Sequence, residues 1–370
     1  MTALTILFEQ YGQSPWIDNI RRDWLNDGTL QRLVNQGIRG VTSNPAIFAK
    51  AFATSSAYDE SLSGADTRDP EALFEYLAVS DVRDACDILA DVHESSRFEF
   101  ATRRRRYTDG FVSLEVSPHL ARDTKGTVQA ATRLAREVGR PNVMIKIPAT
   151  KEGLPAVREV LAQGINVNVT LIFSLQRYDE VITAWIEGLE SAQSAGHSLS
   201  DIASVASFFV SRVDAAVDQL LPEGDIRRGT TANAQVARAY ELYRDRTSSE
   251  RVLKMLDAGA QVQRPLWAST STKNPAYHDL LYVDSIVADE TVNTMPDATL
   301  VGVLDHSDFS SSVLLDSKTT HETASTIDQL PEGVSLAQVT ERLEREGVDA
   351  FIHSYDELIA TVSSKLGSSS

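Results

Sequence analysis

Among 370 residues there is one cysteine, Cys86, so no disulfide can form within the chain. Cations are the minority charge: 35 Lys and Arg stand against 52 Asp and Glu, giving a formal charge of −17. Nucleic-acid binding needs a dense array of cations to displace counterions from phosphates, so this balance argues against such a partner. Any run near the ~18 apolar residues of a membrane helix is also missing, and no membrane partner is expected. The opening MTALTILFEQYGQSPW lacks the basic and apolar regions of a secretion signal, so a cytoplasmic, reducing setting is expected. The seven histidines are scattered without the paired spacing of a metal site, and neither a metal nor a bound cofactor is expected. What remains is 42% hydrophobic and 24% charged, a composition that excludes disorder and leaves an ordinary globular fold.

Short apolar runs alternate with longer helical stretches. Strands are predicted at 39–44 (RGVTSN), 110–117 (GFVSLEVS), 142–149 (NVMIKIPA), 165–173 (INVNVTLIF), 202–211 (IASVASFFVS) and 265–270 (PLWAST), with weaker ones at 14–19 and 290–296. The segment TKGTVQAATRLAREV carries apolar residues at helical spacing and stops at Gly139, before Pro141. Eight strands separated by helices predict a parallel α/β fold, a single (β/α)8 TIM barrel. Residues 51–106 read as a helical insertion, Ser335 to Leu366 as two helices joined by an EGVDAF turn, and 367–370 as a fraying tail. The barrel with these additions is expected to form one catalytic domain over 1–366.

Side chains alternate faces along a strand, so parity shows which residues share a side. In 110–117, Ser113, Glu115 and Ser117 lie opposite Val112, Leu114 and Val116. In 142–149, Lys146 lies opposite Val143, Ile145 and Ile147. Asn166, Asn168 and Thr170 share a face of the next run, and Asp18, Thr42, Asn44 and Ser207 repeat the pattern elsewhere. Helix-covered parallel strands normally read as continuous apolar runs, so polar groups recurring near strand C-terminal ends mark the end where barrels hold active sites. Any one Ser, Thr or Asn there reads as a satisfied core group. Lys146 does not, because a buried lysine needs a partner and burial favours its neutral form.

A lysine with a pKa of about 10.4 is neutral in roughly one molecule in 2,500 at pH 7, against roughly ten to fifty per cent at a pKa of about 7–8. A neutral amine attacks a ketone or aldehyde to give a Schiff base, an electron sink for cleaving the neighbouring carbon–carbon bond. That chemistry needs no metal, but it does need acid–base groups, and Glu115 and Asp18 are predicted on the same rim.

The segments GVTSNPAIF, SLEVSP, MIKIPAT, NVNVTLIFS, SFFVSRVD and LWASTSTKNPAY, in this order, resemble the transaldolase family in its longer bacterial form. The resemblance covers almost the whole chain. It implies transfer of a dihydroxyacetone unit from sedoheptulose 7-phosphate to glyceraldehyde 3-phosphate in the pentose phosphate pathway, giving erythrose 4-phosphate and fructose 6-phosphate. It assigns the Schiff base to Lys146, the C4-hydroxyl proton to Asp18, and carbinolamine chemistry through a water to Glu115, with Thr170 positioning that water. Asn44 and Asn168 match amides that bind hydroxyls of the three-carbon fragment. Ser207 and Arg212 match the phosphate site, and Lys273 takes the place of a second phosphate-gripping arginine. Small sugar phosphates are therefore the expected partners, while the oligomeric state stays open.

Two departures stand out. Ser271 occupies the position where this branch carries glycine, in STGTKNP. The run before the third strand is also unusual, and its Arg103 to Arg106 cluster reads as a solvated loop. A rival reading is a lyase of the fructose 6-phosphate aldolase type, but its match to Glu115 is glutamine, so glutamate favours transfer. A non-catalytic sugar-phosphate-binding barrel would tolerate decay at Asp18, Glu115, Lys146 and Thr170, yet all four match. The DHSDF run at 305–309 reads as an exposed loop rather than a ligand set.

Overall fold

The computed structural model describes residues 1–63 and 67–368. Eight parallel strands close into a barrel in chain order: β1 Ser14–Asp18, β2 Gly40–Thr42, β3 Phe111–Glu115, β4 Val143–Pro148, β5 Val167–Ile172, β6 Ser204–Phe209, β7 Arg264–Ala268 and β8 Val292–Met295. The two weak runs are the pair that closes the ring, Ser14 through Ile17 running in register with Val292 through Met295. Gly40 opens β2 because the indole of Trp16 lies against its backbone, and a Cβ there would come within 2.4 Å of the ring.

Helix ends follow local chemistry. Asp123 caps Thr124–Val138 by accepting from the Gly126 amide, and Gly139 ends that helix in the left-handed conformation. The predicted insertion is helical throughout its long elements, Pro45–Thr54, Pro70–Ile88 and Ala90–Ala101, and its first helix begins before residue 51. It is fastened to the barrel by Asp81, which accepts from Arg22 Nε and from the Tyr58 hydroxyl, each at 2.7 Å.

The C-terminal region departs from expectation. Instead of two helices with a turn at EGVDAF, one helix runs Leu336–Ser368. Gly347 is a contact point rather than a break: a Cβ there would stand 3.3 Å from both Leu171 and Phe173, so its absence lets the helix seat on the barrel mouth. The backbone of 367–368 continues this helix, and the rest of the tail expected to fray, 369–370, lies outside the described residues. Residues from Leu4 to Leu366 share one hydrophobic cluster.

The barrel's N-terminal end is closed by charge. Asp109 is fully buried and accepts from Ser14 Oγ at 2.5 Å, Trp16 Nε1 at 2.9 Å and Arg39 Nε at 3.0 Å, with Arg264 Nη2 at 3.3 Å. Beside it the Arg103 to Arg106 loop is solvated as expected at Arg103 and Arg104, while its last two arginines also contact the barrel end. Arg106 grips Glu290 through two nitrogens, and the Arg105 guanidinium lies 4.7 Å from the Phe8 ring. No described helix is long and apolar enough to cross a membrane.

Candidate active site

Pairing between strands sets the polar groups side by side at the C-terminal end: Glu115 is opposite Lys146, and Lys146 is opposite Asn168. Lys146 is only 5% exposed. Its Nζ donates to the Ser43 carbonyl at 3.0 Å and lies 3.7 Å from Glu115 Oε2, an ion-pair separation too long for a hydrogen bond. The Phe351 ring, from the C-terminal helix, stands 5.8 Å from the same nitrogen.

Both oxygens of Glu115 and the hydroxyl of Thr170 are buried without a hydrogen-bond partner among the described residues. Buried polar atoms left this way are costly, so groups arriving from solution or substrate have partners waiting. Burial pushes the Glu115 carboxyl up to about 7, with Lys146 opposing and Asp18 adding to the rise. Asp18 accepts from Thr42 Oγ1 at 2.6 Å. Burial raises its pKa as well, against the pull of Lys146 and that hydrogen bond. Two carboxyl groups held toward their protonated forms beside an amine are candidates for proton exchange with it, Glu115 near neutral pH.

A cavity of about 280 Å³ opens above Lys146 and is lined by Asp18, Asn44, Thr170, Ser207, Arg212 and Lys273 among others. Larger hollows lie elsewhere, including one of about 880 Å³ beside Arg106 and Glu290, but none gathers these strand-end groups. Asn44 caps the helix Pro45–Thr54, its Oδ1 accepting from Ile47 at 3.1 Å, which leaves its amide nitrogen for the cavity. At the far end Arg212 and Lys273 make no ion pair among the described residues. Arg212 is half-buried under desolvation, and Lys273, itself desolvated, is further disfavoured as a cation by Arg212. Two cations held together unpaired form a natural anion cradle. Ser271, where glycine was expected, accepts from Lys273 Nζ at 2.7 Å and fixes its direction.

Not every expected residue reaches the cavity. Asn168 is fully buried, donating to Ser113 Oγ at 3.0 Å and accepting from Ser207 Oγ at 2.7 Å. Asn168 thus spends one N–H and its carbonyl oxygen inside the barrel, and Ser207 reaches the cavity with its proton already donated. Glu115 also lies off the lining, behind Lys146.

The sequence reading missed Ala350, Phe351 and Ser354, which line the cavity from a helix some 200 residues after Lys146. Parity along one strand gives no signal for a group delivered from so far along the chain. It also missed the bulge in β5, where Leu171 takes a left-handed φ of 60° and the register with β6 shifts between Val169 and Ile172. Such bulges re-aim side chains beside active sites. For a transition metal the lining is a poor donor set, with one carboxylate, Asp18, and neither His nor Cys.

Comparison with known proteins gives the family. The profile of the family described as Transaldolase/Fructose-6-phosphate aldolase matches residues 15–362. A protein named transaldolase from Thermobifida fusca is 47% identical over 366 residues, 96% of each chain. One of the same name from Saccharopolyspora erythraea is 45% identical over 363 residues, 96% of this chain and 95% of its own. Another, from Mycolicibacterium smegmatis, is 44% identical over 364 residues, with 96% and 95% covered.

Proposed function

The chain belongs to the transaldolase/fructose-6-phosphate aldolase family, its activity is transaldolase transfer, and from that premise we propose the roles of its residues. The neutral Lys146 amine adds to the C2 ketone of sedoheptulose 7-phosphate. The carbinolamine loses water, with Glu115 supplying and removing protons near its pKa of about 7, and a protonated imine forms. The Asp18 carboxylate takes the C4-hydroxyl proton. The C3–C4 bond then breaks, its electron pair moves into the imine to give an enamine, and erythrose 4-phosphate leaves. Glyceraldehyde 3-phosphate enters, the enamine carbon attacks its aldehyde, and Asp18 returns the proton to the new alkoxide. Hydrolysis frees fructose 6-phosphate and the lysine.

The observation that carries this reading is Lys146 itself, buried at a strand end, 3.7 Å from Glu115 and opening into a cavity with two unpaired cations beyond. Arg212 and Lys273 are proposed to take the phosphate, Arg212 through two oxygens at once and Lys273 as a point charge. Asn44, at the cavity wall, is proposed to bind a hydroxyl of the three-carbon fragment, and Asn168 to hold the wall behind it. Phe351 and Ser354 help to shield the enamine from water, whose proton would release free dihydroxyacetone. The pentose phosphate pathway and a cytoplasmic setting are part of the proposal, the latter resting on the single buried thiol, Cys86.

The test is the fate of fructose 6-phosphate with and without erythrose 4-phosphate. Transfer predicts consumption that rises at least ~10-fold with acceptor present, a ΔΔG‡ of about 1.4 kcal/mol. Equal release of free dihydroxyacetone with and without acceptor would mark a lyase instead.

A further inference from the structure

We propose that His278, Asp279 and His306 form a site for a zinc-like divalent transition-metal ion, and that the ion pins the Lys273 loop to the helix after β8. His278 and Asp279 are neighbours in sequence, and His306, 27 residues after Asp279, belongs to the DHSDF run expected to be an exposed loop. It is the last residue of the helix Asp297–His306, and the fold brings it to the segment following β7. One donor atom from each residue lies within 4.8 Å of the other two. His306 Nε2 stands 3.1 Å and His278 Nδ1 3.8 Å from Asp279 Oδ1. Bonds of about 2.0–2.2 Å in a tetrahedron place donors roughly 3.3 Å apart, so small side-chain rotations suffice. His278 Nδ1 also accepts a long 3.3 Å bond from the Leu280 amide, which binding through Nδ1 would release.

Three surrounding features point to a cation. Asp305 Oδ2 lies 3.1 Å from His306 Nδ1, the carboxylate support that directs the other ring nitrogen toward a metal. Asp284 is only 7% exposed and keeps its Oδ1 buried without a hydrogen-bond partner among the described residues, while Oδ2 accepts from the Asp308 amide. Gly302, one turn before His306, leaves the approach open, since a Cβ there would stand 3.3 Å from Asp279 Oδ2.

The consequence for the loop follows from Thr272. Its hydroxyl donates to the carbonyls of both His278 and Asp279, at 2.9 and 3.0 Å, and Lys273 is the next residue. An ion held by those two side chains would therefore steady the backbone that aims Lys273. This coupling rests on the reading of Lys273 as a phosphate cation, whereas metal binding itself does not.

The experiment is calorimetric titration of the untagged full chain with zinc chloride at pH 7.5, with magnesium chloride as the control. The expected result is one zinc equivalent, weakened at least tenfold by His306→Gln and His278→Asn together, with slower amide hydrogen exchange across 271–280. Absence of saturable zinc binding, unchanged binding in the double variant, or equal competition by magnesium would overturn the site. A second readout addresses the coupling alone: zinc should change KM for the phosphorylated acceptor in the parent and not in the double variant. An identical KM with and without zinc would overturn the coupling.

Discussion

Lys146 was legible because a lysine breaks an otherwise apolar strand, and parity put it on the face shared by Glu115 across the pairing. The bonds of Asn168 were not legible, since a sequence shows that an amide faces the barrel interior but not that Ser113 and Ser207 occupy one N–H and the oxygen. Lys146→Ala should abolish turnover while the circular dichroism of the fold stays unchanged; near-normal activity would contradict the Schiff-base role. Glu115 makes a sharper case. Its carboxyl belongs near 4.5 in an unfolded chain and near 7 in the fold, burial being the main cause. A raised carboxyl leaves the folded state unpenalised below the unfolded value and costs it stability as pH climbs through the folded one. Glu115→Gln should therefore gain about 1–3 kcal/mol on the parent between pH 5 and pH 8 while losing transferase activity. Urea unfolding at both pH values checks this, and a pH-independent difference would contradict it.

The eight strands were readable from apolar runs bounded by turn residues, and their observed limits fall inside the predicted ones except at β7, which begins one residue earlier at Arg264. The C-terminal helix was misread as two because Gly347 carries the signature of a helix stop. Its reason lies in tertiary contact with Leu171 and Phe173, at the strained turn of β5. Gly347→Val should push this helix off the barrel mouth, costing about 1–3 kcal/mol in thermal or denaturant unfolding; an unaltered midpoint would show that the contact has slack. Phe351 rides one turn further on. Phe351→Ala should raise the release of free dihydroxyacetone relative to transfer, because it opens the side of Lys146 that the ring now covers. An unchanged ratio of the two rates would remove the helix from water exclusion.

At the scale of the whole molecule the two barrel ends hold different charged groups. At the C-terminal end Glu115 and Thr170 have no hydrogen-bond partner among the described residues, whereas at the N-terminal end Asp109 is bonded by Ser14, Trp16, Arg39 and Arg264. Burial alone would lift the Asp109 pKa, yet Arg264 and Arg39 hold it below the ordinary range, so this closure contributes stability that is lost only as pH falls through that lowered value. Asp109→Ala strands two desolvated arginines and should cost about 3–5 kcal/mol in urea unfolding, with kcat of the folded enzyme within roughly twofold of the parent. A loss of kcat without loss of stability would mean that the two ends are not separate. The barrel, its strand order and the cationic end of the cavity were all implied by the sequence. The closing charge cluster was not, because Asp109 precedes a strand and its partners come from three other segments. The most direct test of the central claim is borohydride reduction of the protein with fructose 6-phosphate, followed by mass mapping of its peptides. A three-carbon or six-carbon adduct on the peptide containing Lys146, absent in Lys146→Ala, is the predicted result. An adduct on another lysine, or none at all in a turning-over enzyme, would contradict it.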